Sequence, residues 1–445
     1  MALEQSQDNL KRTHLPHGVA DYFWAEARER RLLEVKLLDL FRSWGYGDVI
    51  PPMFEYAATY HARAGSELES ETYRFLDRDG STLALRADMT IPVARLVATR
   101  LHDWPMPQRF CYAGSVFRYT EPQAGVQREF AQAGVELIGS HSPHADAEVM
   151  ALTARALQTA GIRHFQLVLG QMRFFNGLLE ALDLAPDRAR ALQHAIDRNS
   201  HADLLEFLRS APLLDVHRRA VEEFPLLSGP DVDSVARRAE RVCLNPAMRA
   251  ALANLRKVAE RLDSYGEAGR LYVDLTEIHN LGYYTGVTFE ALTPEIGFAV
   301  ASGGRYDNLV ATFGANQPAV GAALASERLL LARRRSSQAN GAARPVAPSA
   351  LFASAPSAET TRMAMQVVEQ WRALGLSVAV DVDDLSPAAL CEQAAKIGAR
   401  FFIRWTGEGA DVTDLAQPDS APRFVPASRI HQLATEILNA IPSAR

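Results

Sequence analysis

Four stretches of sequence between positions 88 and 328 carry most of the polar side chains suited to chemistry. The run LRADMT holds Asp88 and Thr90, and VFRYTEPQAGVQREFAQAGVELIG holds Arg118, Phe130, Gln132 and Glu136. Further along, LGYYTGVTFEA and ASGGRYDNL hold Tyr284 and Tyr306, and AVGAALASERLL holds Arg328. Guanidinium groups such as Arg118 and Arg328 can grip phosphate oxygens two at a time. Carboxylates and hydroxyls such as Asp88, Glu136 and Thr90 can hold an ammonium group or a ring N–H, and a buried zwitterion needs partners of both kinds. Each residue also has a framework reading. Asp88 stands where it could cap a helix beginning in TIPVARLVATRL. Arg118 and Arg328 could be ion-paired structural arginines, and Tyr284 and Tyr306 could be core tyrosines satisfied by the backbone. Glu136 is different, because it falls on the inward side of an alternating strand, where an unpaired carboxylate is rarely tolerated. The three cysteines, Cys111, Cys243 and Cys391, are far apart and form no C-x-x-C pair, so neither a metal nor a cofactor is expected.

These side chains need elements to hold them. From Asp21 to Trp44 apolar residues recur every three to four positions, which predicts a long amphipathic helix ended by Gly45 and Gly47. A short extended run, Asp48 to Ile50, then meets Pro51-Pro52, which cannot continue a ladder. Residues 81–101 read as a strand feeding a helix, and 107–138 as an antiparallel hairpin with a long polar tip. His144 to Ala160 is helical, and HFQLVLG is a buried strand. The block 184–265 is rich in Ala, Leu, Arg and Glu at helical spacing and reads as a helical insertion. Strands return at Arg270–Leu275 and Thr288–Leu292, followed by a glycine-rich turn in ASGGRYDNL and a last helix through Ala323–Arg335. Residues 336–349 are polar and rich in small residues and proline, which marks a linker, and 350–445 alternates strand and helix.

Composition bounds what the chain can be. Its 445 residues make two to four domains, and 48% hydrophobic with 22% charged residues is ordinary globular usage. A formal charge of −6 does not advertise a nucleic-acid partner. Forty-three of the 47 basic residues are arginine, a bias of base composition. No apolar run approaches a membrane span of about 18 residues, and the first residues have no secretory apolar stretch. A soluble protein of the cytoplasm is expected.

The chemistry-bearing segments, in their order, resemble class II aminoacyl-tRNA synthetases. GYGDVIPPMFE, with Pro52 and Glu55, is similar to motif 1, the dimer-forming element. The hairpin with Arg118 resembles motif 2, and the segment with Arg328 resembles motif 3. LGYYTGVTFEA and ASGGRYDNL resemble the histidine-pocket motifs of histidyl-tRNA synthetase. The resemblance implies a vestigial ATP site at Arg118, Arg328 and the adenine-stacking Phe130. It places Asp88, Thr90 and Gln132 at the backbone end of histidine, and Glu136, Tyr284 and Tyr306 at its imidazole. The departures remove activating groups. His279, Asn280, Leu281 and Gly282 stand where the synthetase has arginine, glycine, leucine and aspartate, and Ala124 and Val126 flank Gly125 where it has cations. Asp88 replaces a glutamate. Over 350–445 eight basic residues face eleven acidic ones, a poor surface for an RNA backbone.

LRADMT, QREFAQAGVELIG and YYTGVTFEA are closer to the regulatory subunits of ATP phosphoribosyltransferase, catalytically dead paralogues of histidyl-tRNA synthetase. This resemblance implies an α+β fold: a class II synthetase-like antiparallel sheet flanked by helices over 1–335, with the insertion at 184–265, and a degenerate anticodon-binding-like α/β domain at 350–445. It implies a non-catalytic dimer, paired through motif 1, that activates the short-form catalytic subunit in histidine biosynthesis and takes free histidine as feedback effector. No tRNA and no membrane partner is expected. An authentic histidyl-tRNA synthetase, and a paralogue with another amino-acid-sensing role, are the alternatives.

Overall fold

The computed structural model describes residues 13–61, 65–120, 127–278, 283–338, 350–354, 358–382, 386–417 and 421–440. The chain divides into two compact units, Met1–Ala342 and Ala343–Arg445. The first opens with helix α1 (Trp24–Ser43), which buries Leu33, Leu37 and Phe41 at four-residue spacing along one face. Gly45, at φ +85°, turns the chain out of the helix, a conformation that costs glycine nothing.

Strand β1 (Gly47–Asp48) pairs in parallel with β5 (Gln108–Phe117) at the edge of a nine-stranded sheet. Between them, β2 (Phe54–Tyr56), β3 (Arg74–Leu76) and β4 (Thr82–Leu85) make a separate small sheet. The predicted hairpin is β5 with β6 (Glu129–Ile138), in register from Gln108–Ile138 to Phe117–Glu129. The remaining strands of the large sheet are β7 (Gln166–Gln171), β8 (Ser228–Gly229), β9 (Leu271–Asp274), β10 (Val287–Leu292), β11 (Ala301–Arg305) and β12 (Ala319–Ala325). The order is β1-β5-β6-β12-β11-β10-β7-β9-β8, and only β1–β5 and β7–β9 are parallel. Five helices between Pro186 and Asp263 form the insertion, with β8 among them as a two-residue strand.

The period of two along each strand divides the sheet between two cores. On β6, Ala133, Val135 and Leu137 point to one face. There they meet helix α2 (Pro143–Thr159), whose start is capped by the Ser142 side chain with Pro143 in the first turn. Phe130, Gln132 and Glu136 point to the other face, together with Tyr112 of β5. That second face is where the candidate site lies.

Two sequence expectations are corrected here. ASGGR is strand β11 rather than a turn. Its glycines serve close approach: a Cβ on Gly303 would stand 2.7 Å from Phe289, and one on Gly304 2.8 Å from the Tyr284 ring. Ala323 to Ala325 are not helical, because β12 occupies them and helix α3 (Ser326–Gln338) begins one residue later. Alanine favours helix, but a strand between β6 and β11 has no room for larger side chains, and tertiary position overrides the propensity. The same helix takes the first three residues assigned to the linker, whose residues 339–349 lie outside the described ones.

The second unit is a five-stranded sheet, β14-β13-β15-β16-β17, built from β13 (Ala350–Ser354), β14 (Val378–Val380), β15 (Phe401–Trp405), β16 (Gly409–Asp414) and β17 (Arg423–Pro426). Its core gathers Phe352, Trp371, Ile403 and Trp405 under the helices Ala358–Ala373 and Ile430–Ala440.

Candidate functional site

On the open face of the first unit's sheet lies a cavity of about 320 Å³. Small residues make its floor: Gly321, Ala323 and Ala325 of β12 pair with Glu136, Gly134 and Gln132 of β6. The floor is low because nothing larger fits. A Cβ on Gly321 would lie 1.7 Å from Glu136 Oε2 and 2.8 Å from the Val135 carbonyl oxygen. Gly321→Ala is therefore expected to destabilise the first unit by about 1–3 kcal/mol through overpacking. Denaturant unfolding of the full chain checks this; an unchanged midpoint would refute it.

Eight of the nine residues singled out from the sequence line this cavity: Asp88, Thr90, Arg118, Phe130, Gln132, Tyr284, Tyr306 and Arg328. Glu136 does not. It lies beneath the wall, fully buried, and three hydroxyls donate to it. Thr90 Oγ1 reaches Glu136 Oε1 at 2.8 Å, Tyr112 OH reaches the same oxygen at 3.0 Å, and Tyr306 OH donates to Oε2. Burial pushes the Glu136 carboxyl up to about 7, against the pull of these three donors.

The acidic end is built by the turn into the helix Thr90–Leu96. Asp88 Oδ1 accepts from Ile91 N at 3.1 Å, so the helix-cap reading and the ligand reading each claim one oxygen. Asp88 Oδ2 is buried with no hydrogen-bond partner, as is Gln132 Oε1. Burial pushes the Asp88 carboxyl up to about 6, while Ile91 N and the Arg118 charge pull it down. Buried acceptors without partners are costly, and two beside one cavity point to a donor-bearing ligand.

The other end is cationic. Arg118 Nε donates to Ala87 O at 2.8 Å, and Arg328 Nη1 donates to Ala299 O at 2.8 Å. Arg118 stands 5.5 Å from the Phe130 ring centroid and Arg328 5.4 Å from that of Phe298. Burial lowers the Arg328 pKa, and the Arg118 charge lowers it further. Like charges brought this close cost energy that an anion between them would recover. Glu327 secures this end: its carboxylate accepts from Ala131 N at 2.8 and 3.1 Å and pairs with Arg30 of α1 at 2.8 Å. Motif 3 is thereby fastened to motif 2 beside Phe130.

The same wall is tied to motif 1. Arg86 Nη1 donates to Pro51 O at 2.7 Å and its Nε to Ser115 O at 2.6 Å. Glu55 takes two bonds from Arg95, at 2.6 and 2.8 Å, on the helix that Asp88 caps.

Sequence reasoning missed Glu71, Tyr283, Glu290 and Ser302 in the wall, and Tyr112 below it. Strand alternation could have found two of them. Tyr112 is paired with Gly134, on the face of Glu136, and Glu290 sits between the core residues Phe289 and Ala291. His279, Asn280, Leu281 and Gly282, and Ala124, Gly125 and Val126, fall outside the described residues, so the departures from the synthetase pattern are read from sequence. Among the described residues no helix is long and apolar enough to cross a membrane.

With the geometry in hand, known proteins can be compared. The sequence model of the histidyl-tRNA synthetase family matches residues 18–329. A Moorella thermoacetica protein called ATP phosphoribosyltransferase regulatory subunit is 39% identical over 396 residues, 88% of this chain and 98% of that one. The chain belongs to the family of ATP phosphoribosyltransferase regulatory subunits. Another relative of that name, from Syntrophotalea carbinolica, is 36% identical over 92% of this chain and 95% of its own length. Among solved structures, an ATP phosphoribosyltransferase regulatory subunit/histidyl-tRNA synthetase from Bacillus halodurans aligns with TM-score 0.78 at 28% identity, covering 89% of this chain and 98% of that one. Histidyl-tRNA synthetase from Nostoc sp. PCC 7120 aligns with TM-score 0.77 at 20% identity, over 96% of this chain and 99% of that one, a likeness of fold. The regulatory-subunit family thus rests on the fold of a synthetase, as the α+β expectation held.

Proposed function

We propose that the chain is the non-catalytic regulatory subunit that a short-form ATP phosphoribosyltransferase requires for the first step of histidine biosynthesis, and that free histidine in the cavity is its inhibitory effector. The observation that carries this reading is the division of the cavity into two ends. Asp88 Oδ2 and Gln132 Oε1 wait for donors at one end, and Arg118 and Arg328 offer a double positive charge at the other. An amino-acid zwitterion supplies both, its ammonium to the first and its carboxylate to the second.

Two copies pair through motif 1 in this reading. Ile50, Met53, Phe54 and Tyr56 are all exposed there, and Ile50 is 93% exposed. The Arg86 and Arg95 bridges join that element to the cavity wall, which gives histidine a physical route to the assembly. Differential binding of about 1–3 kcal/mol between two assembly states would suffice for feedback. Arg118, Phe130 and Arg328 are a vestigial nucleotide site, and the second unit, with eight basic and eleven acidic residues over 350–445, is a poor tRNA ligand. The protein acts in the cytoplasm with its catalytic partner and uses no cofactor.

Calorimetric titration of histidine, with the full chain alone and then with the catalytic subunit, tests the reading. Histidine is expected to bind the chain, and transferase activity to appear in full only in the mixture and to fall as histidine is added. Histidine-insensitive activity in the mixture would remove the effector from this pathway.

A further inference from the structure

The three hydroxyls on Glu136 fix more than its own comfort. Each hydroxyl has one proton, and Thr90, Tyr112 and Tyr306 all spend theirs on this carboxylate. Thr90 and Tyr306 also line the cavity. Toward a ligand, both oxygens are left with lone pairs only. Together with Asp88 Oδ2 and Gln132 Oε1 they make one end of the cavity purely accepting.

We propose that Glu136 is a positioning residue that sets side-chain specificity without touching the ligand: by taking the hydroxyl protons it makes Tyr306 and Thr90 obligate acceptors, so the cavity selects a ring that carries N–H donors. This rests on the reading of the cavity as a histidine site and adds how the ring is chosen. The arrangement is built. Gly321 leaves the space that Glu136 fills, and a Cβ on Gly134 would stand 2.6 Å from Tyr112 OH, so the strands on either side of the carboxylate are cut away for the network. Tyr283 stands 5.9 Å from Tyr306, ring to ring, and closes the far side. A ring that accepts, set against Tyr306 and Thr90, would face lone pair against lone pair and lose its hydration without compensation.

The network has a pH consequence. Other titratable groups facing Glu136 are Tyr46, Tyr112, Tyr283, Tyr284 and Tyr306, all pushed well above neutrality by burial, and Asp88. Protonating Glu136 puts a fourth proton among three hydroxyls, and one hydroxyl must then turn toward the cavity. Binding of an N–H-bearing ring should weaken as pH falls below about 7, where burial places this carboxyl.

The test is calorimetry on the full chain with two probes, histidine and 3-(2-furyl)alanine, whose five-membered ring accepts but has no N–H. Wild type is expected to prefer histidine by about tenfold or more. Glu136→Gln should lower histidine affinity by a similar factor, raise that of the furyl probe relative to histidine, and flatten the pH dependence between pH 6 and 8. Asp88→Asn should weaken both probes together, because it faces their shared ammonium, and should leave the Glu136 pH step in place. Equal loss of both probes in Glu136→Gln, or equal affinity for them in wild type, would overturn the inference while leaving a histidine site intact. Failure of wild type to bind either probe would remove the site itself.

Discussion

Histidine-dependent exchange of pyrophosphate into ATP is expected to be absent above background for this chain, alone or with its catalytic partner. A working adenylation centre lowers its barrier chiefly by preorganised charge, and each donor aimed at the developing charge contributes about 10²–10³ in rate. His279 stands in place of an always-charged arginine fork, and Ala124 and Val126 in place of cations beside Gly125. Two such losses together imply a deficit on the order of 10⁴–10⁶. The surviving pair, Arg118 and Arg328, can hold an anion but each already spends one N–H on a carbonyl, Ala87 O and Ala299 O. The measurement is radiolabelled exchange with saturating histidine. Turnover at a rate ordinary for synthetases would sink the regulatory reading and favour an enzyme with unusual motifs.

Replacing Arg305 by alanine is expected to destabilise the first unit by about 3–5 kcal/mol, the cost of leaving a buried charge without its partner. Arg305 ends β11 with its guanidinium almost wholly inside, bonded to Asp146 at 2.9 Å, Asp307 at 3.0 Å and the Ser140 carbonyl oxygen at 2.8 Å. Asp146, on α2, has no exposed surface, and burial pushes its carboxyl up to about 6 even with Arg305 beside it. Without the arginine the neutral acid is favoured further, so the deficit should shrink as pH falls from 7 toward 5. Urea unfolding across that range reads both the size and the slope. Because Asp307 also accepts from Ala319 N at 3.2 Å, and lies next to Tyr306, histidine binding should weaken with stability. A loss under 1 kcal/mol at pH 7 would mean that water replaces the guanidinium and that Asp146 is not truly enclosed.

Much of the site was legible because it is local. Asp88 and Thr90 share one helix start, and Phe130, Gln132 and Glu136 share one strand face at even spacing, so their proximity follows from period alone. Arg118 and Phe130 are joined by a hairpin, which brings the two strand ends together. Where local rules misled, the cause was tertiary. The glycines of ASGGR look like a turn and the alanines of AVGAALA like a helix, yet both runs are central strands whose small residues clear the cavity floor.

Residue types, order and spacing determined by themselves that a class II synthetase-like frame was present, that its basic activating groups were missing, and that Glu136 was an inward carboxylate needing partners. Those are properties of a string, because period and motif chemistry act over a few residues. Tertiary structure alone decided who the partners are. Thr90, Tyr112 and Tyr306 come from a helix start, a strand and a loop far apart in sequence, and they meet at Glu136 because the sheet order sets β5 on one side of β6 and β12 on the other. The direction in which three hydroxyl protons point, and so whether the wall donates or accepts, is a property of that meeting, since no hydroxyl fixes its own proton until a neighbour takes it.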